Sequence, residues 1–256
     1  MHLDGYRVTR EHQGSHWWYR SRRELTLRQV RRAARALGHP DRRLALLDYG
    51  CASGFDLAFL DEFGAAEGAD VTDAFAADVD GGAHPIHVVP RDLPRLLGRF
   101  DIVTCLDVLE HLDDDVDGLR TIRSLLAPGG QVVVTVPAYA WLWSGEDEIS
   151  AHRRRYTRGA LVAACEDAGF EVIYASYFNA SILPAMAAVV WGRRLFHRDW
   201  RTESNLTAGA GVGGLTALAG LARAVTGLEA RFVGDEHGRL PVGASLICRL
   251  RRAGAQ

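Results

Sequence analysis

Lysine is missing from this 256-residue chain, so all 30 of its basic residues are arginines. That bias points to a GC-rich coding sequence and carries no functional meaning. Neither sign of charge is in excess, since 32 acidic residues set the formal net charge at −2. Nothing in the whole-chain electrostatics attracts a polyanion, and nucleic acid is not expected as a partner. Cysteine is scarce: Cys51, Cys105, Cys165 and Cys248 stand far apart, with no CxxC pair and no ligand spacing, so no metal is expected. Three of them fall in apolar runs and read as small buried hydrophobes in a reducing compartment. The N-terminus carries charges and no apolar h-region, which argues against a secretory leader and for a cytoplasmic protein. Long apolar runs are lacking too. "SILPAMAAVVWGRRLF" is broken by Arg193 and Arg194, and "LTAGAGVGGLTALAGLARAVTGL" is too rich in glycine and alanine to make a convincing membrane span.

What remains is a globular composition, 48% hydrophobic and 24% charged, with length enough for one large α/β domain. Apolar or β-branched runs recur at 43–50, 65–71, 84–92, 99–107, 131–138, 170–178 and 244–251, and read as seven strands. Helical spacing fills 15–38, 54–64, the stretch around Val116 to Leu125, and 158–168 up to Gly169. Strands alternating with helices predict an α/β fold with a Rossmann-like, doubly wound, parallel sheet. Three segments are expected: an N-terminal lid helix (1–42), a core (43–178 and 244–256), and a helical cap (179–243) inserted before the last strand. A connection that long points to a role in substrate specificity.

Ligands of doubly wound sheets bind beyond the carboxyl ends of the strands, beside the first one. There the chain reads Asp48-x-Gly50-x-Ala52-x-Gly54, a poor match to the GxGxxG of dinucleotide enzymes. Asp70 ends the second strand, where a carboxylate can accept both hydroxyls of a ribose. Asp92 ends the third, within reach of an adenine amino group.

These segments resemble the class I S-adenosylmethionine (SAM)-dependent methyltransferases of the type 11/12 group. "LLDYGCASG" is similar to their first motif, with Ala52 where a middle glycine is usual, a tolerable change unless φ must be positive there. "GAD" and "PRDLP" resemble the second and the adenine-side motifs. "FDIVTCLDVLEHLDD" and "LAPGGQVVVTVPA" are the most specific matches. The resemblance implies that the backbone of Gly50, Cys51, Ala52 and Gly54, with Asp48 behind it, holds the methionine part of SAM. It implies Asp70 on the ribose, Asp92 and Leu93 on the adenine, and Leu106 and Asp107 on the floor. Trp18 and Arg22, in "HWWYRSRR", would close a lid over the cofactor, whose product is S-adenosylhomocysteine.

Three further segments invite functional readings. "DDDVDG" (113–118) opens like a calcium loop but has Ser124 where a bidentate glutamate is required, so helix capping explains it better. Glu110-His111 lacks a second ligand set. "SGEDEISAHRRRYTRG" (144–159) leaves the fifth strand, and His152 in it has the intrinsic pKa of a general base near neutrality. The competing reading is that Arg153 to Arg155 pair with Glu146, Asp147 and Glu148 while His152 orders the loop. The expected function is methyl transfer to O, N or C of a small molecule, in specialised metabolism. The alternatives are a lipid-linked or glycan acceptor at a membrane face, or a SAM-binding protein without catalysis. The apolar cap is compatible with burial, a homodimer contact or peripheral membrane contact.

Overall fold

A computed structural model describes residues 17–38, 43–72, 83–196, 216–233, 235 and 237–254. Residues 1–16 and 39–42 of the expected lid, and residues 197–215, 234 and 236 of the expected cap, lie outside them. In chain order the elements are α1 (Trp17–Leu37), β1 (Leu44–Tyr49), α2 (Leu57–Leu60), β2 (Gly64–Asp70), β3 (Ile86–Val88), α3 (Leu93–Leu96) and β4 (Phe100–Leu106). A 3-10 turn (Leu109–His111) leads to α4 (Asp115–Leu125) and β5 (Leu126–Pro137). A second 3-10 turn (Ala140–Leu142) precedes α5 (Gly145–Ile149), α6 (Arg158–Asp167), β6 (Phe170–Phe178), α7 (Leu183–Phe196), α8 (Thr216–Val233) and β7 (Ser245–Arg252).

The seven strands form one sheet in the order β3-β2-β1-β4-β5-β7-β6, the doubly wound architecture expected. The pairs β1·β2, β1·β4, β2·β3 and β4·β5 are parallel. β7 departs from the all-parallel expectation. Its start lies beside the ends of β5 and β6, because Ala138 N–H donates to Ala244 O and Ala244 N–H to Asn179 O. Its far end lies beside the start of β6, where Ala253 N–H donates to Gly169 O. β7 therefore runs antiparallel between them. Leu46, Leu47, Ile102, Val103, Val132, Val133 and Val134 are all buried, which is why these central strands read as continuous apolar runs rather than alternating ones.

Three elements differ from the sequence reading, each for a local reason. The run 54–64 is caught between two glycines and makes only a one-turn helix, Leu57–Leu60. The third strand shrinks to Ile86–Val88, because Pro85 and Pro90 on either side have no N–H for the ladder. β5 begins at Leu126 instead of 131. Its register to β4 jumps from Phe100↔Leu126 to Ile102↔Gln131, so Pro128, Gly129 and Gly130 form a bulge rather than ending the helix in a plain turn.

The chain resolves into two compact units. Unit 1 is Met1–Leu25, Pro137–Arg158 and Ser176–Leu246; unit 2 is Thr26–Val136, Gly159–Ala175 and Ile247–Gln256. Strands β1 to β4 and most of the remaining three belong to unit 2.

Candidate active site

In unit 2 the expected cofactor residues gather at the carboxyl ends of β1, β2 and β4. Parallel register sets Asp48 opposite Thr104, and Thr104 Oγ1 donates to the buried Asp48 carboxylate at 2.6 Å. Asp48 thus anchors the base of the turn. The turn itself takes left-handed conformations at Gly50 (φ 79°), Ala52 (φ 53°) and Gly54 (φ 74°). Ala52 is therefore in the region that disfavours an L side chain, the one condition under which the missing glycine matters. A side chain at Gly50 would also collide with the Val108 side chain. The glycine lets the residue after Asp107 close over the turn.

Four main-chain donors of this turn, at Gly50, Cys51, Ala52 and Gly54, are already used. Gly50 and Cys51 N–H both donate to Ala69 O, at 2.7 and 3.2 Å, and Gly54 N–H donates to Cys51 O. Ala52 N–H donates to Asp70 Oδ2 at 2.7 Å. Of the turn's carbonyls, Ala52 O already accepts from the Cys51 thiol, with Sγ 3.9 Å away. Asp70 also accepts from Val71 N–H. Burial raises its pKa above the ordinary carboxylate value, and backbone donors from Ala52, Val71 and Thr72 work against that rise. Cys51 is buried under the turn, its thiol pushed far up by burial, and packs inward over Gly68. Asp92 closes the turn after β3 by accepting Val88 N–H at 2.8 Å, and pairs with Arg91. Arg91 holds its pKa down at about 2. Leu93 begins α3. Leu106 ends β4, and Asp107 (φ 57°) donates its N–H to Thr135 O at 3.0 Å. Farther along, Asp114 caps α4 by accepting Asp117 N–H, as expected of the acidic run.

Trp18, Arg22 and His152 belong to unit 1. Arg22 is buried on α1, with its guanidinium 5.3 Å from the Trp18 ring centroid and 5.4 Å from that of Tyr19. His152 Nδ1 lies 2.8 Å from Asp147 Oδ1. Asp147 is fully buried and also accepts Ser144 N–H and a two-pronged contact from Arg155, at 2.7 and 2.9 Å. Burial pushes its pKa up, but the bonds from His152 and Arg155 outweigh that and bring it to about 2. An ionised carboxylate only accepts, so the proton of His152 sits on Nδ1 and the lone pair of the neutral ring on Nε2.

The family model described as a methyltransferase domain matches residues 17–175, well over half of the chain. The chain belongs to the methyltransferase-domain family. One relative, the ubiquinone biosynthesis O-methyltransferase of Pseudomonas paraeruginosa (strain DSM 24068 / PA7), is 31% identical over 158 residues, 50% of this chain and 64% of that protein. The chain spans about half the length of the curated relatives it matches. A SAM dependent methyltransferase from Archaeoglobus fulgidus superposes with a TM-score of 0.51 at 16% identity, covering 90% of this chain and 94% of that one. The [4+2]-cyclase SpnF superposes with 0.51 at 20% identity, covering 88% and 80%. At such identities the likeness is one of fold.

Two features of this methyltransferase-family chain had only faint sequence signals. Asp147 stood in the acidic stretch as one of three interchangeable ion-pair partners, yet it alone is the buried hub. Its mark is the Ser144-to-Asp147 spacing of a capping box at the start of α5. Tyr139 (φ 58°) stacks between Tyr177 at 5.1 Å and Trp141 at 5.5 Å. Burial and the neighbouring Tyr177 raise its pKa to about 12, which keeps the phenol protonated and suits it to donate rather than to act as a base.

Proposed function

We propose that this chain transfers a methyl group from SAM to a small-molecule acceptor, a hydroxyl oxygen first among them. The observation that carries the reading is the family match over residues 17–175, which contains the β1 turn and the acidic end of β2. The name of the Pseudomonas relative supports oxygen over nitrogen or carbon.

The donor set fits the cofactor. The left-handed backbone at Gly50, Ala52 and Gly54 makes a tight turn for its amino-acid end, while Asp70 is a charged acceptor for two ribose hydroxyls. Asp70 then has two tasks, since its two oxygens already hold the N–H groups of Ala52 and Val71. Bound SAM supplies a methyl group activated by its sulfonium. The chain contributes alignment and exclusion of water. Where the acceptor arrives protonated, His152 takes the proton at Nε2, because Asp147 commits Nδ1 as a donor. Asp147 and Arg155 are positioning residues in this scheme. The competing ion-pair reading of the segment is partly fulfilled by the same hub, which is why activity must decide between them.

Titration calorimetry with SAM and S-adenosylhomocysteine, followed by a turnover assay on catechols, phenols and amines, tests the reading. Micromolar binding of both and formation of S-adenosylhomocysteine on a hydroxyl acceptor are expected. Binding without turnover on any acceptor would favour the non-catalytic alternative, and failure to bind SAM would end both.

A further inference from the structure

Large apolar side chains are exposed mainly in unit 1, and α7 carries the strongest group. Val189 is 49% exposed, Trp191 56%, Leu195 74% and Phe196 83%, while Val190 alone of the helix is buried. At about 100° per residue, Ala185, Ala188, Val189, Trp191, Leu195 and Phe196 occupy roughly the half of the helix opposite Val190. Arg193 and Arg194 fall on either side of Val190. The amphipathic pattern is thus inverted: the outward half has no charge, and the cations sit at its protein-facing edges. Arg194 Nη2 reaches back to Trp143 O at 2.7 Å. Trp141 adds to the patch, lining a groove with Ala187, Ala188 and Trp191.

Along the α7 segment itself the charge has one sign, while Glu148 of α5 accepts Trp143 Nε1–H at 2.9 Å near the Arg194 contact. No acidic residue occurs from Asn179 to Phe196. Glu229 of α8 turns its carboxylate onto Ala180 and Ser181 N–H, at 2.9 and 3.0 Å, before α7 begins. A two-fold contact between copies would set like patches, and like charges, against each other. An anionic lipid surface is complementary to both the apolar half and its arginine edges. No helix among the described residues is long and apolar enough to cross a membrane, so the helix would lie in the surface.

We propose that α7 docks in the plane of an anionic phospholipid bilayer, with Trp191, Leu195 and Phe196 at the acyl boundary and Arg193 at the headgroups. The proposal stands apart from the catalytic reading. The full chain is tested with vesicles of phosphatidylcholine alone and with 30 mol% phosphatidylglycerol, by co-sedimentation and by tryptophan quenching with a doxyl lipid. Binding to the anionic vesicles and quenching are expected. Trp191→Phe should remove much of the quenching without loss of binding, and Arg193→Gln should weaken binding to the anionic vesicles about fivefold. Leu195→Glu with Phe196→Glu should abolish binding while circular dichroism stays unchanged. A wild-type chain that stays in the supernatant with both vesicles overturns the proposal, as does quenching that Trp191→Phe leaves intact. A dimer in size-exclusion chromatography that Leu195→Glu and Phe196→Glu convert to a monomer would assign the face to a second copy instead.

Discussion

Replacing Ala52 by glycine should make the protein more stable. Ala52 holds φ at 53°, in the left-handed region that costs an L residue about 1–2 kcal/mol. Glycine removes that cost but brings roughly 0.5–1 kcal/mol of extra unfolded-state entropy. The lost methyl is only half-buried, and Ala52 N–H still has Asp70 to donate to. The net gain is therefore about 0.5–1 kcal/mol, or a rise in melting temperature of roughly 1–4 °C for a domain of this size. Urea unfolding of the unliganded protein measures it. Ala66→Gly is the control, because Ala66 is buried within β2 in ordinary strand geometry, and glycine there should cost about 1 kcal/mol. Ala52→Val should destabilise, since a β-branched side chain tolerates positive φ least. If Ala52→Gly lowers stability as much as Ala66→Gly does, the strain is not there and the reasoning fails.

Asp70→Asn should weaken SAM binding by roughly tenfold to 150-fold, the loss of a charged hydrogen bond at about 1.5–3 kcal/mol; unchanged calorimetric affinity would remove Asp70 from the site. Asp147 has a folded pKa of about 2 against 3.8, so its contribution is present above pH 4 and disappears as pH falls towards 2. Unfolding free energies from urea titrations should drop across that range by about 2 kcal/mol more in the wild type than in Asp147→Asn. His152→Ala should lower turnover by about 10²–10⁴-fold with SAM affinity intact and partial rescue at high pH; a rate constant that does not change across pH 6 to 9 would end the general-base role. Replacing residues 180–242 by a short linker should keep SAM binding and abolish methyl transfer, so retained turnover on the natural acceptor would show that this segment does not define the substrate pocket.

Much of this was legible in the chain itself. The central strands announce themselves because both faces are buried, and β6 begins and ends where its apolar run does, at Phe170 and Phe178. The turn at 50–54 was visible from its glycines, and Asp70 from its place at a strand end. What stayed hidden depends on contacts distant in sequence. Locally only the capping-box spacing from Ser144 sets Asp147 apart from Glu146 and Glu148; its burial against Arg155 and His152 comes with folding. The direction of β7 is equally invisible, because an apolar run reads the same whichever neighbours it pairs with. The positive φ of Ala52 is a third case, since alanine is the residue least expected to reveal it.

The placement of β7 bears on how this scaffold can diversify. β6 and β7 are antiparallel neighbours, so two residues would suffice to join them, yet the chain takes more than sixty between Asn179 and Ala244. Those two residues already meet, with Ala244 N–H 3.4 Å from Asn179 O. The intervening segment is a closed loop pinned at its neck. For such a loop, each doubling of length costs only about 0.6 kcal/mol in closure entropy. Insertions, deletions or wholesale exchange of α7 and α8 would leave the strand order untouched. New surfaces can therefore be acquired by swapping a single stretch of gene, without re-solving the folding problem of the sheet.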